Sequence, residues 1–243
     1  MSEMVREVGS TLGGLRRELE IVTHNLANVN TVGYKRRCNS FSKILMAEED
    51  RMKAGSDKVF SSKVNFDFSQ GSIIGTERTL DIALKGKGFF VIETPSGPLY
   101  TRSGNFHLNA SRQIVDSLAR TVAGEAGPIT VPPDVGVSQI HISNDGNISA
   151  GGTAVGKFQL VDFKEDENKL FPVGTNCFKV PKGIKPVEAE NLILNQGFQE
   201  TSNVKMVEEL VDLMMVTKLY EANIKFIEAR RQTASSIISV AMG

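Results

Sequence analysis

Proline and glycine are spread so unevenly along this chain that they divide it before any other residue is considered. All eight prolines lie between Pro95 and Pro186, and no glycine occurs from Phe198 to Met242. These two residues are the strongest breakers of helices and strands. The middle of the chain must therefore be built from many short elements, and the C-terminal tail from one long one.

The tail has the period of a helix. Leu210, Leu213, Thr217, Tyr220, Ile224, Ile227, Arg231, Ala234, Ile238 and Ala241 are spaced alternately by three and four, with only Arg231 spoiling the seam. Ser202 or Asn203 can cap its start, and Glu208, Glu209 and Asp212 suit the positive end of the helix dipole. Such a helix of about 38 residues spans about 57 Å at 1.5 Å per residue. The N-terminus has a matching seam in Val5, Val8, Leu12, Leu15, Leu19, Val22, Leu26 and Val29. Gly9, Gly13 and Gly14 weaken that helix by about 1 kcal/mol each relative to alanine, so it needs a partner. It should stop near residue 30, where Gly33 can take the positive φ of a helix C-terminus.

A second stripe on the tail, Met215, Leu219, Ala222, Phe226, Ala229 and Thr233, lies on the face opposite the first. The N-terminal helix offers one stripe only, its far side carrying Glu7, Ser10, Gly14, Arg17 and His24. Pairing the chain's two ends covers one face of the tail and leaves the other for neighbouring molecules. That imbalance points to an assembly subunit.

Between these ends, Ile82–Leu84, Phe89–Ile92, Leu99–Thr101, Ile140–Ile142 and Phe158–Val161 are short apolar or alternating runs, and Asn144-Asp145-Gly146-Asn147 is a hairpin turn signal. The expected fold class is α+β: terminal helices paired as a coiled coil around a central all-β domain. The expected division is 1–36 with 201–243 as the helical domain, 37–70 as a linker or extended arm, and 71–200 as the β-rich domain. Residues 34–70, with Phe41, Phe60, Phe66 and Phe68 among charges, show no period.

Composition narrows the chemistry. Lysine plus arginine number 28 and aspartate plus glutamate 28, so no net field draws the chain to nucleic acid. Two cysteines, Cys38 and Cys177, and three histidines, His24, His107 and His141, form no closely spaced metal or disulfide pattern. No cofactor is expected. The first thirty residues are too charged for a cleaved secretory signal, and no stretch reads as a membrane span. Gly86-Lys87-Gly88 precedes a strand, whereas a phosphate loop follows one, so it reads as a tight strand entry. Asn144–Asn147 lacks the acidic twelfth position of a calcium loop, which falls on Val155. Asp81 reads as a structural hydrogen-bond acceptor, and each cysteine as a small buried hydrophobe.

Four motifs carry a resemblance. Asn25-Leu26-Ala27-Asn28-Val29-Asn30-Thr31-Val32-Gly33-Tyr34-Lys35 resembles the N-terminal signature of the flagellar rod and hook family. Ser202-Asn203-Val204 through Tyr220-Glu221-Ala222-Asn223 resembles its C-terminal signature. Leu80–Phe90 and Tyr100–Phe106 are similar to its core β-domain, and Gly124–Ile129 with the modest length is most similar to the rod subunits, the proximal before the distal. Two residues depart from the pattern: His24 stands where the family usually has asparagine, and Arg112 where a glycine usually turns the hairpin after Phe106. The resemblance implies a non-enzymatic subunit exported by the flagellum's own type III apparatus, polymerising with copies of itself and neighbouring rod proteins. A different class also fits the spacing: a ligand-binding or enzymatic β-domain carried on an oligomerising helical stalk.

Overall fold

Helical periodicity and proline punctuation are realised in two separate units. The computed structural model describes residues 2–39, 64–174 and 176–242. A terminal unit gathers Met1–Ala27, Arg37–Asn65 and Lys205–Gly243, and a central unit gathers Asn28–Arg36 and Phe66–Val204. Phe41 and Phe60, and the rest of the expected arm at 40–63, lie outside the described residues.

In the terminal unit, helix α1 spans Ser2–Ala27 and helix α2 spans Met206–Met242, and the two pack against each other. Neither is long and apolar enough to cross a membrane. α1 ends at Ala27, earlier than the spacing suggests. Asn28 then forms a local turn, its carbonyl accepting the Thr31 N–H at 3.1 Å and its Oδ1 accepting the Thr31 hydroxyl at 3.2 Å. α2 likewise starts three residues beyond Asn203. The Ser202 hydroxyl accepts the Val204 N–H at 3.2 Å, and Lys205 O accepts the Glu209 N–H at 3.1 Å.

The central unit is mostly β. Its largest sheet has six antiparallel strands in the order Phe171–Val173, Cys177–Lys179, Leu99–Thr101, Phe89–Ile92, Leu160–Asp162, Val187–Glu188. Pro172 sits on an edge strand, where no ladder donor is missed. Successive side chains on a strand face opposite ways, and Phe89 and Phe90 show the result. Phe90 joins Phe106, Phe158, Ile82, Leu84 and Ile114 in the main apolar core. Phe89 faces a second cluster with Phe68, Phe163 and Phe178, to which Phe66 adds an edge contact on Phe178 at 5.1 Å. The aperiodic stretch before residue 71 therefore supplies core aromatics.

Ile140–Ile142, Asn147–Ala150 and Thr153–Lys157 form a meander, with Asn144–Gly146 in the first turn and Gly146 at φ +85°. Ile82–Lys85 pairs with Ile193–Gln196, and Ile73–Gly75 with Phe198–Glu200. Phe158 falls outside the Leu160–Asp162 strand and makes an isolated bridge to Gly124.

Candidate functional site

In a chain of this construction the residues that matter are those that seat the helices and those the helices leave uncovered. On α1, Ile21 and Val22 are buried, and Leu12, Leu15, Leu19 and Leu26 are half-buried. On α2, Val216 is buried and Leu213 and Ile224 are half-buried, while Leu210, Tyr220 and Ile227 are exposed. Val5, Val8 and Ile238 lie outside the residues whose side chains are described. Spacing alone selects Thr217 over its buried neighbour Val216, and Leu210 over Glu209, which is 0% exposed. One residue is about 100° of helix rotation, so a seam read from apolar letters alone can sit slightly to one side of the contact. The opposite stripe is open: Met215, Leu219 and Phe226 are 57%, 48% and 47% exposed, and Ala222 and Ala229 are exposed too. The Arg230 guanidinium covers the Phe226 ring at 5.1 Å.

The helices are seated in the terminal unit by Asn25, which is fully buried. Its Oδ1 accepts the Arg37 N–H at 2.9 Å, and its Nδ2 donates to Arg37 O at 3.0 Å and to Glu209 Oε2 at 3.2 Å. A side-chain amide carries a donor and an acceptor side by side, so it can pair with a backbone as a strand does. Asn25 thereby ties α1, the Arg37–Asn39 strand and the first turn of α2 together. Ala27 closes α1 as an exposed residue.

In the central unit Asn203 uses the same device. Its Oδ1 accepts the Arg36 N–H at 2.7 Å, and its Nδ2 donates to Asp67 O at 2.8 Å and Ser69 O at 3.2 Å. Beside it, the Gly33 N–H donates to Glu200 O at 2.7 Å and the Asn203 N–H to Tyr34 O at 3.4 Å. Tyr34, Ser202 and Val204 are buried. Gly33 has φ +67°, and a Cβ there would meet Ser103 N at 2.5 Å. It serves this close approach, not the end of α1.

Under these segments lies an ionic triad that sequence reasoning missed. The Lys35 ammonium is 2.7 Å from Glu200 Oε1, and Arg102 Nε is 3.3 Å from Glu200 Oε2, with the three side chains 1%, 0% and 4% exposed. Arg102 also donates to Gly88 O at 2.7 Å and Gly86 O at 2.8 Å, so the Gly86-Lys87-Gly88 entry is a cradle for a guanidinium. Burial pulls Lys35 below the usual lysine range, opposed by Glu200 and helped by the Arg102 charge. Burial likewise lowers Arg102, against the pull of Glu200. The one signal in sequence was Lys35 closing an otherwise uncharged turn.

A cavity of about 250 Å³ in the central unit is lined by Thr31, Thr101, Asp116, Arg120 and Cys177 among others. Its charged groups satisfy each other: Arg120 Nε donates to Asp116 Oδ2 at 2.7 Å, and Arg120 Nη2 lies 3.0 Å from Cys177 Sγ. Burial pushes the Cys177 thiol up, with Arg120 opposing, so the sulfur is protonated and unactivated at neutral pH. Asp81 is fully buried and accepts the Thr76 hydroxyl at 2.7 Å. Arg112, at the departure from the family pattern, sits at φ +60° and donates to the carbonyls of Pro132, at 2.9 Å, and Val135.

Similarity to known proteins runs through these same segments. Residues 9–35 match the flagella basal body rod protein family, 83–150 the D1 domain of the flagellar hook protein FlgE/F/G, and 195–240 the C-terminal region of flagellar basal body rod FlgEFG proteins. The chain is 30% identical over 233 residues to the flagellar basal-body rod protein FlgF of Caulobacter vibrioides, covering 92% of this chain and 91% of that one. It is 31% identical over 247 residues to FlgG of Agrobacterium fabrum, covering 90% and 92%, and 27% identical over 265 residues to FlgG of Bacillus subtilis, covering 98% and 99%.

Proposed function

This chain belongs to the flagellar basal-body rod protein family, and we propose how it serves there. It is a structural subunit of the rod, not an enzyme. Its helices pair as a coiled coil through the seams of α1 and α2, and copies polymerise around the export channel into a hollow shaft that carries motor torque. The central unit forms the outer layer. The subunit leaves the cytoplasm through the flagellar type III apparatus without a cleaved signal and joins neighbouring rod proteins in the periplasm-spanning part of the basal body. Within the rod it takes the proximal position, the reading that the Gly124–Ile129 segment and the modest length favour over the distal one.

One observation carries the assembly reading: α2 is buried at Glu209 and Val216 and half-buried at Leu213 and Ile224, whereas Met215, Leu219 and Phe226 on its other side, and Tyr220 and Ile227 further along the seam, are exposed. A contiguous apolar stripe left open on a long helix costs free energy in water and gains it when a neighbour covers it. Phe226→Asp tests this. An unpaired carboxylate in a contact formed only between subunits costs several kcal/mol per site. Basal bodies isolated from cells carrying only this variant should lack rods and the cells should not swim, while the melting of the central unit is unchanged. Normal rods in that strain would refute the assignment.

A further inference from the structure

We propose that Glu200 gates the docking of the N-terminal segment: Asn28–Arg36 can seat on the central unit only after the C-terminal strand Phe198–Glu200 is in place. The three charges of the buried triad come from three distant parts of the chain, and they are not equivalent. Arg102 belongs to the β-core and is held there by two backbone carbonyls, Gly86 O at 2.8 Å and Gly88 O at 2.7 Å, whatever the chain ends do. Adding the C-terminal strand alone brings Glu200 to Arg102 and makes a neutral pair. Adding the N-terminal segment alone buries the Lys35 ammonium beside the Arg102 guanidinium with no carboxylate between them. Two like charges out of water are strongly unfavourable, so that state is closed.

The backbone favours the same order, although Lys35 Nζ also donates to Ser69 O at 2.6 Å and Asn176 Nδ2 to Val32 O at 2.7 Å, two anchors that do not need the C-terminal segment. The N–H groups of Gly33 and Arg36 donate to Glu200 O and Asn203 Oδ1, acceptors that the C-terminal segment supplies. Glu200 Oε1 in turn accepts the Gly71 N–H at 3.0 Å, and the Thr201 N–H donates to Ser72 O at 2.8 Å, so the C-terminal segment has anchors of its own on the central unit. Other charges act from further off: Asp67 on Lys35, and Glu167 and Asp162 on Arg102. Asp67 Oδ1 is occupied by the Ser69 N–H at 2.8 Å. Chains are made N-terminus first, so this ordering leaves the segment that follows α1 undocked until the last part of the chain has arrived.

Hydrogen exchange on the full-length protein, read as protection factors at one pH, tests the order. Glu200→Gln should lower protection across 28–36 at least tenfold while Ile82–Ile92 stays protected. Lys35→Met should leave 198–204 within about threefold of the parent, because Glu200 keeps Arg102. Adding Lys35→Met to Glu200→Gln should restore part of the protection at Gly33 and Arg36, since one of the two uncompensated cations is gone; a merely steric role predicts a further loss. The proposal fails if Lys35→Met loosens 198–204 as much as Glu200→Gln loosens 28–36, or if the double variant is no better than Glu200→Gln. Should Glu200→Gln not fold, the Lys35→Met chain decides alone, with loss of protection at 198–204 overturning the order and its retention upholding it.

Discussion

Replacing Gly33 by alanine tests the seating of the N-terminal segment with a single methyl group. At φ +67°, alanine pays about 1–2 kcal/mol for the left-handed conformation. The methyl would also lie 2.5 Å from Ser103 N, 2.6 Å from Arg102 C and 2.7 Å from Ser103 Cα, all backbone atoms beside the buried triad. Backbone cannot rotate away, so the segment must lift by about 1 Å, an overpacking cost of about 1–3 kcal/mol. Lifting also stretches the 2.7 Å bond from Gly33 N–H to Glu200 O, worth about 1 kcal/mol. The combined loss is about 3–6 kcal/mol, and at about 2–4 °C per kcal/mol the central transition should fall by about 6–24 °C. Gly174 is the control: its φ is +64° and nothing lies within 4 Å of its added Cβ, so Gly174→Ala meets the conformational cost alone. Calorimetry of both full-length variants separates strain from collision. Equal shifts for the two would refute the close-approach argument.

Further outcomes follow from other sites. Burial, with the Arg37 charge, holds His24 below its usual value of 6.5; the unfolded chain therefore takes up the proton first as pH falls, and stability at the end of α1 is intact above pH 6.5 and lost below it. Amide protection over Ile21–Ala27 should drop between pH 7.5 and 5.5, and His24→Asn should remove the drop. Arg112→Gly relieves about 1–2 kcal/mol of left-handed strain but gives up two charged hydrogen bonds of about 1.5–3 kcal/mol each, so melting should show a net loss of about 1–5 kcal/mol. A more stable Arg112→Gly protein would contradict the clasp on Pro132 and Val135.

What could be read in the sequence was what depends on neighbours along the chain. The helical period from Leu12 to Leu26, the unbroken tail, the Asn144–Gly146 turn and the acceptor role of Asp81 all follow from spacing or local backbone chemistry. The interactions that were not visible join residues far apart. Lys35, Arg102 and Glu200 look like surface charges until the fold brings them together, and nothing in Gly86-Lys87-Gly88 announces that its carbonyls receive a guanidinium. Phe66 and Phe68 lack period because they fill gaps under a sheet built later in the chain. In the sequence Glu209 reads as a helix-dipole residue, whereas burial also puts it in the contact with Asn25. Polar residues in a helix seam escape any search for apolar letters.

The central claim is that the outer face of α2 is completed by neighbouring subunits. Hydrogen exchange along Leu219–Arg231, compared between dilute monomer and isolated rods, tests it most directly. On this account protection in the monomer is confined to the stretch around Glu209 and Val216, where α2 is buried, and fades beyond it. In the rod it extends over the whole segment. Strong protection of Leu219–Arg231 in the dilute monomer, unchanged on assembly, would show that the helix needs no neighbour and would contradict the account.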